Sequence, residues 1–340
     1  MQFPTAVPSQ QRRLKLDDRQ DNMTTGFVVA TDPIAPPAGL ERAVYAIGNF
    51  DGVHLGHRAV IERTILLSRR ERQAPSAVLT FEPHPADHFA ERPVAFRLTP
   101  PELKASLCER LGLSGIVFLT FNTWLAAMSA EEFVRSILVE RLGATAVVIG
   151  WDFHFGKGRS GNPAFLVDMA SRYGFGVDVV GRVEEGSGEA ARVVSSTAIR
   201  RALERGDVGA AALALGRYYS LSGRVTPGQR LGRTLGVPTA NMALAPTNRL
   251  AHGVYAVCAV IDGESHPGVA SFGVRPTVDN GPPLLEVHLL DFDGDLYGTE
   301  MSVEFVERIR EERRFESLDV LVAEMDRDKE RARAILARRG

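Results

Sequence analysis

Gly48-Asn49-Phe50-Asp51-Gly52-Val53-His54-Leu55-Gly56-His57 is the stretch from which the rest of this chain can be read. The apolar run Ala43 to Ile47 before it predicts a buried strand, and the mixed apolar and basic spacing of Arg58 to Gln73 after it predicts a helix. A strand, a glycine-rich turn and a helix form a phosphate-holding geometry. Gly48 and Gly52 are expected to let the backbone turn, and Gly56 to let an anion approach the free N–H groups and positive dipole end of the helix. His54 and His57, three apart, are expected to face one ligand and to bring mobile charge and N–H donors to phosphoryl oxygens.

Outward from this turn the pattern alternates. Apolar runs at Ser76 to Phe81, Gly115 to Phe121, Thr145 to Gly150 and Gly176 to Gly181 are separated by helical stretches at Pro101 to Leu111, Ala130 to Leu142, Ala164 to Tyr173 and Ser196 to Arg205. Repeated strand and helix units predict a parallel sheet covered on both faces, with ligands beyond the carboxyl ends of its strands. Three motifs fall at such ends. Phe81-Glu82-Pro83-His84-Pro85 leaves an acid and an imidazole on a loop stiffened by two prolines. Gly150-Trp151-Asp152-Phe153-His154-Phe155-Gly156 runs on to Arg159; Phe153 and Phe155 suit a wall that stacks on a flat ring, with Asp152 and Arg159 for polar groups. Two core aromatics are the plainer alternative for the phenylalanines. Ser195-Ser196-Thr197-Ala198-Ile199-Arg200 opens a helix with hydroxyls that cap or share its N–H groups, and with an arginine fork one turn in.

Gly156, Gly158 and Gly161 match G-x-G-x-x-G, but Asp152 to Phe155 separate them from the preceding strand, which excludes the dinucleotide fingerprint. No G-K-[ST] occurs, so a Walker A loop is excluded as well.

In their order and spacing, F-D-G-x-H-x-G-H, F-E-P-H-P, G-x-D-F-x-F-G-x-x-R and S-S-T-x-I-R resemble the adenylyltransferase module of the bacterial bifunctional riboflavin kinase/FMN adenylyltransferases. The resemblance covers about Phe27 to Arg205. It implies a Rossmann-like nucleotidylyltransferase domain with His54, His57 and Arg200 as catalytic groups. Gly48, Asn49, Phe50, Asp51, Gly56, His84, Asp152, Phe153, Phe155, Arg159, Ser195, Ser196 and Thr197 are implied to bind ATP and the flavin substrate.

After Gly206-Asp207 and a short alanine-rich helix, Val208 to Leu215, the pattern changes class. Leu221 to Val225, Val254 to Ile261, His266 to Phe272, Leu284 to Leu290 and Met301 to Ile309 are β-rich runs without intervening helices, joined by turns such as Asp262-Gly263. They predict a small closed antiparallel barrel. Ser317 to Arg338 closes the chain as an amphipathic helix, expected to bury Leu318, Leu321, Val322 and Met325 and to present a solvated charged face.

Thr239 and Asn241, two apart on an extended segment, point to one side and can offer oxygen to Mg²⁺. In Leu285 to Leu290 the alternation sets Glu286 and His288 on the face opposite Leu285, Val287 and Leu289. Glu286 is therefore a candidate base for a substrate hydroxyl, with a surface ion pair as the alternative. The run G-R-x-L-G-x-P-T-A-N, with Gly232, Arg233, Gly236 and Pro238, resembles the riboflavin kinase signature of the same family, and Gly253-Val254-Tyr255, Arg275-Pro276-Thr277 and Leu285-Glu286-Val287-His288 follow in its order. That resemblance covers about Tyr219 to the C-terminus. One departure is Ser271, where the family commonly has Asn; it is expected to affect a loop contact only.

Composition bounds these readings. At 340 residues, 44% apolar and 24% charged, the chain suggests two domains, and its net charge of -2 gives no general pull on nucleic acid. Cys108 and Cys258 match no metal spacing or disulfide framework, and no membrane span or cleaved leader is legible, so a cytoplasmic location is expected. Residues 1–25 are expected to be a disordered extension, with Met23 as a second candidate start; 26–216 is the predicted adenylyltransferase domain and 217–340 the kinase domain. A monomer or weak homo-oligomer is expected. The function implied is phosphorylation of riboflavin to FMN and its adenylylation by ATP to FAD. The alternatives are transfer to another phosphorylated acceptor and a flavin or nucleotide sensor; intact His54, His57, Arg200 and Glu286 argue against the sensor.

Overall fold

The computed structural model describes residues 26–71, 74–185, 192–226, 238–273 and 283–339. The expected extension at 1–25, the glycine-loop residues Gly232, Arg233 and Gly236, and the Arg275-Pro276-Thr277 segment lie outside the described residues.

Six parallel strands make the first sheet: β1 (Val28–Thr31), β2 (Val44–Ile47), β3 (Ser76–Glu82), β4 (Gly115–Thr120), β5 (Ala146–Gly150) and β6 (Gly176–Val180), in the order β1-β4-β3-β2-β5-β6. β2 is wholly buried and β3 nearly so, which is why they read as continuous apolar runs rather than alternating ones. From β2 the chain steps outward to β3 and β4, then crosses back to β5 on the other side of β2. The switch point between β2 and β5 is where a doubly wound sheet opens a crevice at its carboxyl edge.

The helices of this domain are α1 (Leu55–Arg70), α2 (Pro85–His88), α3 (Pro101–Arg110), α4 (Thr123–Ala127), α5 (Ala130–Glu132, continuing as a π-helix over Phe133–Arg141), α6 (Pro163–Tyr173), α7 (Ser196–Glu204) and α8 (Val208–Leu215). Each has a local cause. Ser129 and Glu132 form a capping box at α5, while Asn162 caps α6 and left-handed Gly174 ends it. α1 starts three residues earlier than its sequence pattern suggests, because His54 serves as its N-cap. A short hairpin, β7 (Glu184–Glu185) and β8 (Arg192–Val193), precedes α7.

The second sheet is antiparallel: β9 (Tyr219–Arg224), β10 (Ala240–Ala243), β11 (Gly253–Ile261), β12 (Glu264–Gly273), β13 (Leu284–Leu289) and β14 (Glu300–Arg310), in the order β10-β13-β12-β11-β14-β9. Asp262 and Gly263 both have positive φ, 50° and 87°, as a two-residue hairpin between β11 and β12 requires. Beyond β9, Thr226 pairs with Asn241 of β10, its N–H donating to the Asn241 carbonyl at 2.8 Å, and this bridge brings the two edge strands together into a barrel.

The two units share a core. Phe96 and Leu98, with Ile199 and Leu203 of α7 and Val208, Ala211 and Leu215 of α8, form one buried cluster with Tyr219, Val257, Phe272, Leu285 and Phe305 of the barrel. The Phe96 and Tyr219 rings meet edge to face at 6.4 Å. At the far end of α7 the Leu203 carbonyl accepts the Ala251 N–H at 2.9 Å.

The terminal helix α9 (Leu318–Ala337) forms as its pattern predicts but buries a different face. Leu318 is 64% exposed, whereas Glu324, Asp328, Ala332 and Ile335 are buried. The cause lies on and just beyond β14: Arg310 donates to Asp328 through Nε at 2.9 Å and Nη2 at 2.7 Å, and Arg313 reaches Glu324 at 2.6 Å. Charge complementarity, not an apolar stripe, sets that part of the interface.

Candidate active sites

A cleft of about 790 Å³ opens at the carboxyl ends of β2, β3 and β5 and the start of α7. Every candidate residue of the first domain lines it: the turn residues Gly48, Asn49, Phe50, Asp51, His54, Gly56 and His57; His84; Asp152, Phe153, Phe155 and Arg159; and Ser195, Ser196, Thr197 and Arg200. Four motifs spread over 150 residues of sequence converge on one space.

The turn is tighter than its glycines alone imply. Gly52 has φ +96°, but Phe50 and Val53 also have positive φ, 48° and 41°. Gly52 donates its N–H to Thr99 Oγ1 at 2.9 Å. Gly56 also has a packing reason, since a Cβ there would sit 3.1 Å from the His54 ring.

The two imidazoles stack, with centroids 3.6 Å apart and planes 14° from parallel. His54 Nδ1 accepts the His57 N–H at 3.2 Å, which leaves the proton of a neutral ring on Nε2. Burial pushes the His54 pKa down to about 4, and burial, the neighbouring His54 and the cations Lys104, Arg200 and Arg217 hold His57 well below its usual value. Burial and the neighbouring cations thus favour the neutral ring form over the mobile charge expected of the pair. Burial also lowers His84, which caps α2 by accepting the Ala86 N–H at 3.2 Å.

Asp51, almost fully buried, accepts the N–H groups of Leu98 and Thr99, both at 2.9 Å, and pairs with Arg200 Nη2 at 2.5 Å. Arg200 Nε donates to the Phe96 carbonyl at 2.7 Å, so its fork is fixed rather than free to swing. Ser195 caps α7, its Oγ accepting the Ala198 N–H at 3.2 Å, while the Ser196 hydroxyl donates to the Asp51 carbonyl at 2.7 Å. Thr197 is exposed at the cleft.

Phe155 is mostly buried and Phe153 stacks on it at 5.4 Å and 17°, so Phe153 offers the more open face of the two to the cleft. The glycine decoy has a packing origin: a Cβ at Gly156 would meet Ala130 at 2.7 Å, and one at Gly161 would meet the Phe155 ring at 2.7 Å. Phe155 and Gly161 exchange backbone hydrogen bonds as a bridge, not a strand-to-helix turn.

Two charged groups near the cleft, Lys104 and Arg97, were not singled out in the sequence. Lys104 of α3 is 1% exposed, with Nζ donating to the Asn49 carbonyl at 2.9 Å. Glu82, at the end of β3, pairs with Arg97 Nη1 at 2.5 Å. Lys104 lies in the predicted helix Pro101 to Leu111 and Arg97 just before it, and nothing local marks the lysine as buried or the arginine as paired.

In the barrel, Asn241 of β10, Glu286 of β13 and Ser271 of β12 stand in register in one row across three strands. Leu285, Val287 and Leu289 are buried and Glu286 and His288 half-buried on the other face, as the alternation predicts. Ser271 is thus a strand neighbour of Glu286, not a loop residue, and its difference from the family pattern touches this row. His288 Nδ1 lies 2.9 Å from the Pro238 carbonyl, which ties the end of the glycine segment to β13. The Asn241 amide donates to the Thr239 carbonyl at 3.3 Å, and Asn241 is buried. Among the described residues no group of three or more His, Cys, Asp or Glu side chains could form a metal cage. Neutral Thr and Asn oxygens nevertheless fit Mg²⁺, which keeps waters and phosphate oxygens in its shell.

Fold and sites define a class: a Rossmann-like domain with a stacked-histidine cleft, continued into a six-stranded antiparallel barrel with a carboxylate beside an amide. Residues 37–198 match the family described as FAD synthetase and residues 215–336 the family described as riboflavin kinase. The bifunctional riboflavin kinase/FMN adenylyltransferase of Pseudomonas fluorescens is 44% identical, covering 86% of this chain and 93% of its own. Those of Escherichia coli K12 and Bacillus subtilis are 40% and 35% identical, each covering 86% of this chain and 92% of theirs. A solved structure described as a macrolide-efflux protein from Streptococcus pneumoniae has a TM-score of 0.80 at 29% identity, covering 90% of this chain and 99% of that one. Among the described residues no helix is long and apolar enough to cross a membrane. This chain belongs to the bacterial bifunctional riboflavin kinase/FMN adenylyltransferase family, with an FAD synthetase domain and a riboflavin kinase domain.

Proposed function

We propose that the chain carries out both reactions in succession: the barrel phosphorylates riboflavin to FMN with ATP, and the cleft of the parallel-sheet domain joins FMN to AMP from a second ATP. In the first, the ribityl 5′-hydroxyl attacks the γ-phosphorus, Glu286 takes its proton and ADP departs. Thr239 and Asn241 are the residues that would hold Mg²⁺, which spreads the charge of the phosphates when bound. In the second, a phosphate oxygen of FMN attacks the α-phosphorus and pyrophosphate leaves, without a covalent enzyme intermediate.

The observation that carries the second reading is the pair of stacked imidazoles at the start of α1 beside an arginine anchored by a buried aspartate. Preorganised N–H donors around developing phosphoryl charge act without reorganising during the step. Ser195, Ser196 and Thr197 stand at the N-terminus of α7, suited to the triphosphate, and Phe153 offers a face to a flat ring. Asn49, Asp51 and Gly48 shape the turn that receives the nucleotide.

The division near 216/217 is supported by left-handed Gly216, which ends α8. Two buried free cysteines and the near-neutral net charge support a cytoplasmic enzyme acting on small molecules as a monomer or weak homo-oligomer. Incubating the pure protein with ATP, Mg²⁺ and riboflavin and separating the flavins tests the function. FAD is the expected end product; neither FMN nor FAD would overturn the reading, and FMN alone would leave only the kinase.

A further inference from the structure

Lys104 is a costly residue where it stands. Its ammonium is taken almost completely out of water on α3, and burial lowers its pKa. Its partners are the Asn49 carbonyl at 2.9 Å, the Thr80 hydroxyl at 3.3 Å and, more distantly, Glu82 at 3.9 Å. None of them depends on it. Thr80 donates to the same Asn49 carbonyl at 3.0 Å, and Glu82 is already paired with Arg97 at 2.5 Å. Without the lysine, the polar groups around it keep partners, so satisfying the core does not explain it. An apolar side chain of similar length would fill the same space without the cost of taking an ammonium out of water.

What the ammonium does touch is the floor of the cleft. Asn49 belongs to the turn that carries His54 and His57, and Thr80 and Glu82 end the strand that leads to His84. The charged and titratable groups facing His57 are His54 from the cap of α1, Lys104 from α3, Arg200 from α7 and Arg217 from beyond α8. Arg200 is fixed by Asp51, whereas the carboxylate nearest Lys104, that of Glu82, lies 3.9 Å away and is engaged by Arg97.

We propose that Lys104 is a positioning residue for adenylyl transfer: it pins the Asn49 carbonyl and supplies fixed positive charge behind the stacked imidazoles. This rests on the adenylyltransferase reading of the cleft. The charge favours the anionic substrates, and the hydrogen bond holds the turn that presents His54 and His57 to them.

The test compares Lys104→Met and Lys104→Gln in the full chain. In Lys104→Met, kcat for FMN adenylylation should fall by about tenfold or more while KM for FMN and ATP stays within about threefold. Riboflavin phosphorylation should be unchanged, and the melting temperature equal or higher. The His57 ring, followed by NMR, should titrate at higher pH once the neighbouring cation is gone. Lys104→Gln keeps a donor for Asn49 without the charge, so it should show the same His57 shift with a smaller loss of kcat. Parent-like adenylylation in Lys104→Met, or a lower melting temperature with both activities reduced together, would overturn the proposal. If the parent protein itself does not adenylylate FMN, the reading of the cleft fails, whereas the His57 shift still reports on Lys104.

Discussion

Asp51 and Arg200, 149 residues apart in sequence, meet at 2.5 Å in the wall of the cleft. The carboxylate is anchored by the backbone N–H groups of Leu98 and Thr99, so it can set the guanidinium as a fixed donor. Asp51→Asn removes the charge and turns one oxygen into a donor facing other donors. Adenylylation should fall by on the order of a hundredfold, and breaking a buried pair should cost about 3 kcal/mol of stability. Flavin separation and denaturant unfolding of the variant check both; an unchanged rate would reduce the pair to a structural clip.

Stability should fall as pH drops from about 6.5 toward 4. Folding depresses the pKa of His54 to about 4 and holds that of His57 well below its usual value, whereas imidazoles in the unfolded chain titrate near about 6.5. Between those values the unfolded state binds more protons, so stability rises with pH and the full contribution is present above the unfolded value. Urea midpoints at several pH values should trace this slope, and His54→Asn should flatten it. A slope identical in parent and variant would show that His54 ionises alike in both states.

Glu286→Gln keeps the shape of the candidate base but cannot take a proton. Riboflavin phosphorylation should fall by about 10² to 10⁴, while supplied FMN is converted to FAD at nearly the parent rate. Normal phosphorylation would mean that the proton leaves through water or the phosphate itself.

A fragment ending at Gly216 should be less self-sufficient than a six-stranded sheet suggests. Truncation there uncovers Phe96, Leu98, Ile199, Leu203 and Leu215, which are buried in the cluster shared with the barrel. The fragment should fold, unfold at lower denaturant than the whole chain and associate through the uncovered face. A monomeric fragment as stable as the parent would show that the shared core contributes little.

The strands, the phosphate turn and both sets of motifs were legible because their signals are local: apolar runs, glycines and a histidine pair within ten residues. The partners of those residues were not. That Asp51 fixes Arg200, that Gly56 yields space to His54 and that Lys104 is buried all depend on elements brought together across the sheet. The terminal helix shows the same limit, since the burial of Glu324 and Asp328 was decided by arginines on and just beyond β14. The packing of Phe155 against Phe133 and Phe165 was likewise decided by residues distant in sequence.

The bridge between Thr226 and Asn241 makes the barrel a sheet with a clasp. β10 is laddered to β13 along its length but meets the β9 side, among the described residues, at this pair. The backbone of Asn241 fastens the clasp, and its side chain belongs to the row beside Glu286. Ring closure and engagement of that side chain are therefore reciprocal by thermodynamic necessity: whatever binds the closed ring more tightly than the open one also closes it. Hydrogen exchange at the Thr226 amide reads the opening directly. It should slow when nucleotide and riboflavin occupy the barrel.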